Sequence, residues 1–262
     1  MVLLVSWNVA GRRTRLDEQA ARVLEVEPDV VCLQEVTPVT AERWLERLAE
    51  CGLSGVLAPL PLAREGSRPL AVLTASRDAP EVVPVADVPW PERVLAVRAG
   101  PLEVVNLHSP VSPKPELAKV RTHEAVFEHL RSGSGPRVVL GDFNTPRREH
   151  PDGSVWTFAR DRYGRLRPER GERWDAAESA LIRGLEPHGF RDAFRDLHGF
   201  DSKEPTWEWP RWGGGWRLDH LVASSEVAIA ECAYRHDWRR EDGLSDHSAL
   251  VARIEIEGAT PR

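Results

Sequence analysis

The chain has 262 residues, 41% of them hydrophobic and 29% charged, an ordinary globular composition that excludes disordered, collagenous and coiled-coil chains. Its net charge of −6 speaks against a generic polyanion binder, which is basic overall, but leaves room for an enzyme that meets phosphate locally through a metal. Three cysteines, Cys32, Cys51 and Cys232, without CxxC or Cys/His zinc spacing, argue against a disulfide scaffold and for a reducing cytoplasm.

The apolar start from Met1 to Trp7 lacks a basic n-region and a cleavage site. It reads as a first strand and not as a signal peptide. No run approaches the length of a membrane span, so no membrane association is expected. Thr14 to Asp17 has the form of a capping box, and Leu16, Ala20, Val23 and Leu24 give the apolar stripe of a helix. Val30 to Leu33 is a second buried strand. Thr37 and Pro38 read as N-cap and first residue of a helix carrying Ala41, Trp44, Leu45 and Leu48, stopped by Gly52. Short strands are predicted near 54–58, 69–75, 81–86, 93–99 and 102–108, separated by prolines and glycines. Ser112-Pro113 opens another helix whose face is Leu117, Val120, Phe127 and Leu130, with Gly133 at its end. Arg137 to Leu140 is a strand leading into Gly141-Asp142. Residues 147–174, rich in Arg, Pro and Gly, read as a long loop. Asp175 to Glu178 caps a helix running to about His188, and strands near 216–223, 227–235 and 249–256 complete the chain. No repeat or linker divides it, so one domain over 1–262 is expected. The mixed order predicts an α+β fold with two packed sheets and helices outside.

The informative pattern is polar residues at strand ends: Asn8, Gln34-Glu35, Asn106 and His108, Asp142 and Asn144, Asp219-His220, and Asp246-His247. A buried carboxylate is costly unless it is paired or binds a metal. Glu35, Asp142, Asp219 and Asp246, with histidines and asparagines beside them, form a candidate metal and general-base site, and an oxygen-rich donor set favours Mg²⁺ or Mn²⁺ over zinc. Each residue alone has a plainer reading. Glu35 could cap a helix, Asp142 and Asn144 could form an Asx turn, and Asp219 could pair with Arg217. The joint occurrence, each after an apolar run, carries the weight.

Ser-Trp-Asn8, Leu-Gln-Glu35, Gly-Asp142-Phe-Asn144, Trp-Arg-Leu-Asp219 and Ser-Asp246-His247 together resemble the motifs of the endonuclease/exonuclease/phosphatase superfamily. The resemblance spans residues 6 to 248. It implies a four-layer αββα sandwich, two mixed β-sheets with helices on both outer faces, and a site at one edge of the sheets. It also implies roles: Glu35 as principal Mg²⁺ ligand with Asn8 and Asp246 beside it, and Asp142 to orient or deprotonate water. Asn144 would hold a phosphate oxygen, and His247, oriented by Asp219, would contact the scissile phosphate or act as a base.

Two departures matter. AP endonucleases of this superfamily carry a tyrosine where this chain has His108, a form that resembles the deoxyribonuclease and sphingomyelinase branches, in which the histidine is a general acid. Residue 10 is Ala where several AP endonucleases have Asp. The segment from Thr206 to Trp216 holds four of the ten tryptophans; a wall for a sugar or base would use Trp207, Trp216 and Arg217, whereas a plainer role is to cover a sheet edge. The leading expectation is a monomeric Mg²⁺-dependent phosphodiesterase acting on nucleic acid, DNA first, as endonuclease or exonuclease. The alternatives are a hydrolase of small or lipid phosphates and a non-enzymatic nucleic-acid binding module on an inactive version of the fold.

Overall fold

A computed structural model of the chain describes residues 1–60, 68–111, 117–209, 211 and 213–256. The first sheet holds β1 (Val2–Asn8), β2 (Val30–Val36), β3 (Ser54–Leu57) and β4 (Ala71–Ser76). The second holds β5 (Glu81–Val83), β6 (Val94–Ala99), β7 (Leu102–His108), β8 (Arg137–Asp142), β11 (Phe190–Asp192) and β14 (Asp219–Ser224). Two further strands, β15 (Val227–Arg235) and β16 (Ala249–Ile256), complete the first sheet. The sheets run β15-β16-β1-β2-β4-β3 and β11-β14-β8-β7-β6-β5. The short hairpins β9 (Arg148–Glu149) with β10 (Val155–Trp156), and β12 (Trp207–Glu208) with β13 (Gly215–Trp216), stand outside them.

Leu4, Val30, Val72, Val104, Leu140, Leu221 and Leu250 fill the space between the sheets. The outer face of the first sheet is covered by α1 (Leu16–Glu25), α2 (Ala41–Ala49) and α6 (His236–Arg240), which bury Leu16, Ala20, Trp44 and Trp238. The outer face of the second sheet meets α3 (Ala118–Ser132) and the stretch after α4 (Gly171–Ser179), through Val126, Leu130, Leu181 and Leu185. A short α5 (Ala193–His198) packs Phe194 into the central core. The architecture is the expected α+β, four-layer αββα sandwich. Each buried Leu, Val or Phe contributes about 1.5–3 kcal/mol, so three such clusters supply the driving force.

Several local expectations shift. The helix after Pro38 begins at Ala41, because Thr37 and Thr40 exchange hydrogen bonds in a turn first. Asp175 is not a cap: α4 already starts at Gly171, and the Asp175 carboxylate accepts from Arg160 instead. The expected helix start at Ser112-Pro113 lies outside the described residues.

Register positions the chemistry. Strand β7 runs parallel to β8 with His108 opposite Asp142, and β14 runs antiparallel to β8 with Asp219 opposite the same Asp142. Partners in register share a face of the sheet, so three strand ends place His108, Asp142 and Asp219 side by side. Strand β1 parallel to β2 sets Asn8 opposite Gln34. The ladder between β2 and β4 then breaks after Leu33, and Glu35 takes a left-handed backbone, φ 61°. Gly141 has φ 136°, and a Cβ there would lie 2.0 Å from the Leu107 carbonyl oxygen, so only glycine lets β7 and β8 close immediately before Asp142.

Candidate active site

At this sheet edge lies a cavity of about 380 Å³, lined by Glu35, His108, Asp142, Asn144, Asp246 and His247 and walled by Phe158, Trp207 and Trp216. Asp142, Asp219 and His247 are all buried, and each offers a ligand atom within 4.8 Å of the others. Asp219 Oδ2 accepts from His247 Nδ1 at 2.9 Å, and His247 Nε2 lies 3.9 Å from Asp142 Oδ2. The segment bearing Asp246 and His247 is tied to β1: the Trp7 indole N–H donates to His247 O, and Ser245 Oγ donates to Asn8 O.

These contacts set the protonation states. Burial, reinforced by the Asp219 charge, lifts the Asp142 carboxyl to about 7, against the opposing pull of His247 and the Asn144 and Asn8 donors. Burial opposes the charged form of His247, yet Asp219 and Asp142 outweigh it and raise this imidazole to about 10. Near neutral pH the site therefore holds an imidazolium clamped by Asp219 and a carboxyl poised to exchange a proton.

His108 Nε2 lies 3.8 Å from both Glu35 Oε1 and Asp142 Oδ2. Its Nδ1 accepts from Arg93 at 2.6 Å. Burial and the Arg93 charge hold His108 well below the ordinary histidine range. This environment speaks against His108 as a protonated general acid, the role that the deoxyribonuclease-like form implied. A guanidinium always donates, so Nδ1 carries no proton and the imidazole is neutral, with Nε2–H facing the carboxylates.

Other expected residues also take different postures. Asn8 turns its amide nitrogen to Asp142 Oδ2 at 3.0 Å and Glu35 Oε1 at 3.4 Å, while its oxygen accepts from Ala10 N–H. It links the two carboxylates and does not offer them an oxygen. Asn144 donates to Ser109 O at 2.7 Å and Asp142 Oδ2 at 3.3 Å, so it orients Asp142. Glu35 accepts from Arg68 at 2.9 Å, a partner invisible in sequence order. Asp246 is exposed and accepts from the Trp207 indole at 3.3 Å. Arg217 does not line the reactive cavity: its guanidinium is buried between Glu149 and Asp192, each 2.7 Å away, because two carboxylates in a dry interior need a bidentate cation.

Sequence reasoning did not single out Lys119, Glu178, Arg93 or Phe158. Lys119 Nζ pairs with Glu178 Oε1 at 2.6 Å and donates to Asn144 O at 2.7 Å. Glu178 Oε2 accepts from Thr145 Oγ1 and from Phe158 N, both at 2.7 Å. One buried ion pair thus fixes both the Asn144 turn and an aromatic wall. Trp207 and Trp216 stack with centroids 5.4 Å apart and planes 7° apart, and Phe158 meets Trp216 edge-on.

A divalent cation fits this donor set. Among the described residues no lysine or arginine forms an ion pair with the buried Asp142; its nearest cationic partner, the His247 imidazolium at 3.9 Å, is already shared with Asp219, so the buried carboxylates leave negative charge that a cation would offset. Glu35, Asp142 and Asp246 all line one cavity with carboxylate oxygens, the donors of hard cations.

A sheet edge that converges carboxylates, a clamped imidazolium and an aromatic wall defines a hydrolase of phosphoric esters. The chain belongs to the Endonuclease/Exonuclease/phosphatase family, whose family model matches residues 5–247. Exodeoxyribonuclease III of Haemophilus influenzae is 23% identical over 290 residues, covering 96% of this chain and 99% of that protein. An AP endonuclease from Archaeoglobus fulgidus has the same fold, with TM-score 0.74 and 22% identity over 98% of this chain and 100% of that one. A 3′ phosphatase from Neisseria, solved bound to product DNA hairpin, gives TM-score 0.73 and 21% identity over 97% and 100%.

Proposed function

We propose that this protein is a Mg²⁺-dependent hydrolase of phosphate esters in DNA, cleaving phosphodiesters or terminal phosphates. The Asp142–His247–Asp219 cluster facing Glu35 in a tryptophan-walled cavity carries the reading, and the likeness to exodeoxyribonuclease III supports DNA as substrate. Asn8, Asn144 and neighbouring donors hold Asp142, which takes the proton of the attacking water. His247, kept as imidazolium by Asp219, donates Nε2–H to a phosphate oxygen and steadies the growing charge. His108 donates Nε2–H as a neutral imidazole, with its tautomer set by Arg93. Glu35 and Asp246 would hold the Mg²⁺, with Asp142 nearby. When bound, the ion neutralises charge on the phosphate and the leaving oxygen. Trp207 and Trp216 offer flat faces to a base or sugar.

A substrate panel with Mg²⁺ tests this: abasic duplex, duplex ending in a 3′ phosphate, plain duplex, single strand, RNA, inositol phosphates and sphingomyelin. Turnover is expected on at least one DNA substrate and to vanish in EDTA. Turnover confined to inositol phosphates or sphingomyelin would replace DNA by small or lipid phosphates.

A further inference from the structure

Trp216, in the β12–β13 hairpin, lines two cavities. One is the reactive cavity above. The other is larger, about 680 Å³, and none of Glu35, Asp142, Asp219 or Asp246 lines it. That volume is ample for an organic ligand. Its wall carries Arg147, Arg148 and Lys203. Much of the acidity there is already neutralised: Glu149 is held by Arg195 and Arg217, and Glu204 by His236. Asp201, at the exposed rim, is the remaining carboxylate. Among the described residues, the side chains of Arg147 and Lys203 make no hydrogen bond or ion pair.

Arg147 follows the Asn144 turn by three residues and lines the larger cavity, whereas Arg170 lines the reactive one. Burial opposes the charge of both, and Arg167 adds to that; Glu178 and Glu169 offset part of it at Arg170, and Asp161 part of it at Arg147. Arg170 is spread over the Trp174 ring, 4.0 Å from its centroid, and donates to Phe158 O. Like charges gathered in partly buried positions disfavour one another. An anion beside Arg147 would lessen its cost in the larger cavity, and guanidinium groups match phosphate bidentately.

We infer that the larger cavity is a second binding site for the substrate strand, taking the nucleotide next to the scissile bond. A non-reacting phosphate sits by Arg147, and the strand runs past Trp216 toward Lys203. The inference rests on the phosphoesterase reading above and names the substrate class more closely: a polynucleotide, not a single small ester. Occupancy of this site supplies binding energy away from the reacting atoms, which serves to position them.

The test is the double variant Arg147→Ala/Lys203→Ala. In EDTA, binding of a fluorescein-labelled DNA oligonucleotide of about ten nucleotides is followed by anisotropy, which needs no catalysis. The expected result is at least tenfold weaker binding, with the slope of log affinity against log salt smaller by about 0.7–0.9 per lost phosphate contact. With Mg²⁺, KM for the oligonucleotide rises, and turnover of bis(p-nitrophenyl) phosphate stays within about twofold, since that ester is too small to span both cavities. Unchanged oligonucleotide affinity and salt slope would overturn the second site. An equal loss on both esters with a lower melting temperature would also overturn it and make Arg147 structural. If the native protein hydrolyses no ester at all, the phosphoesterase reading fails, while the anisotropy arm still decides the cavity.

Discussion

Arg93 donates to Nδ1 of His108 at 2.6 Å, so the imidazole that faces Glu35 and Asp142 is neutral and presents Nε2–H to them. A histidine that acts as a general acid gives a basic limb in the pH–rate profile; a neutral donor does not. The His108→Gln variant is expected to lose activity by about a hundredfold, the scale of one charge-stabilising donor. Its basic limb should match that of the native enzyme, and the loss should be similar for p-nitrophenolate and alkoxide leaving groups. A limb that disappears with His108, or a loss confined to poor leaving groups, would restore the general-acid role.

Asp142 and His247 predict where the pH limbs do fall. Asp142, lifted to about 7 by burial and by Asp219 in the metal-free protein, must be ionised to take a proton, so kcat/KM should fall on the acid side, at a pH that bound Mg²⁺ would bring below 7. His247, held near 10 by Asp219 and Asp142 against the cost of burial, must stay charged, so activity should fall again only near 10. The same shift has a sign for stability. The folded pKa of His247 lies above its ordinary 6.5, so its contribution is complete below 6.5 and is lost as pH rises through about 10. Asp142→Asn should abolish turnover without lowering the melting temperature at pH 8, because it removes a buried charge. A melting temperature several degrees lower would mark Asp142 as structural.

Much of this site was legible in sequence because strand ends advertise themselves: apolar runs stop at Asn8, Glu35, His108 and Asp142, another begins just after Asp219, and register aligns His108, Asp142 and Asp219. What was not legible is which atoms face which. Arg93 lies 15 residues from His108, and Lys119 lies 25 from Asn144, joined by no pattern that local propensity can carry. Gln34 and Asn106, read as possible site residues, bond to each other at 2.8 Å across the two sheets, a polar clip whose identity depends on sheet packing. The arginine-rich stretch 147–174 is mostly the loop that its composition suggests, up to α4 at Gly171, but it is anchored at one point. There Arg148–Glu149 pair as a short hairpin with Val155–Trp156, and the Glu149 carboxylate is fixed by Arg195 and Arg217, which lie 46 and 68 residues away.

Lys119 and Glu178 make the third prediction. Lys119→Met strips a buried carboxylate of its cation, at a cost of about 3–5 kcal/mol. The pair Lys119→Met/Glu178→Gln removes both charges and should recover much of that stability. Its turnover should remain depressed, because the Asn144 carbonyl still lacks its Lys119 donor. Full recovery of activity along with stability would reduce the pair to a fold element.

The stacked tryptophans give the fourth. Trp216→Ala removes one face of a pair set 5.4 Å apart and should weaken nucleic-acid binding by about 1–3 kcal/mol. Turnover of bis(p-nitrophenyl) phosphate should change far less. Equal losses on both substrates would assign Trp216 to packing against Phe158.

The last concerns the metal and can be read without substrate. The buried side of the cavity gathers Glu35 and Asp142 with no lysine or arginine ion-paired to Asp142 among the described residues, so a divalent cation should stabilise the folded chain and not the unfolded one. Linkage then raises stability by RT ln(1 + [L]/Kd), about 2.7 kcal/mol when Mg²⁺ is a hundredfold above its Kd. The melting temperature should climb with Mg²⁺ in the native protein and fall back in EDTA. Glu35→Gln exchanges an anionic oxygen for a neutral amide of the same shape, and its Arg68 partner is exposed. This variant should therefore fold with little change in metal-free stability. It should lose most of the Mg²⁺-dependent rise and, in parallel, more than about a hundredfold in turnover. A Glu35→Gln protein that keeps the full Mg²⁺ shift would move the ion away from Glu35, toward the Asp142–Asp219–His247 cluster.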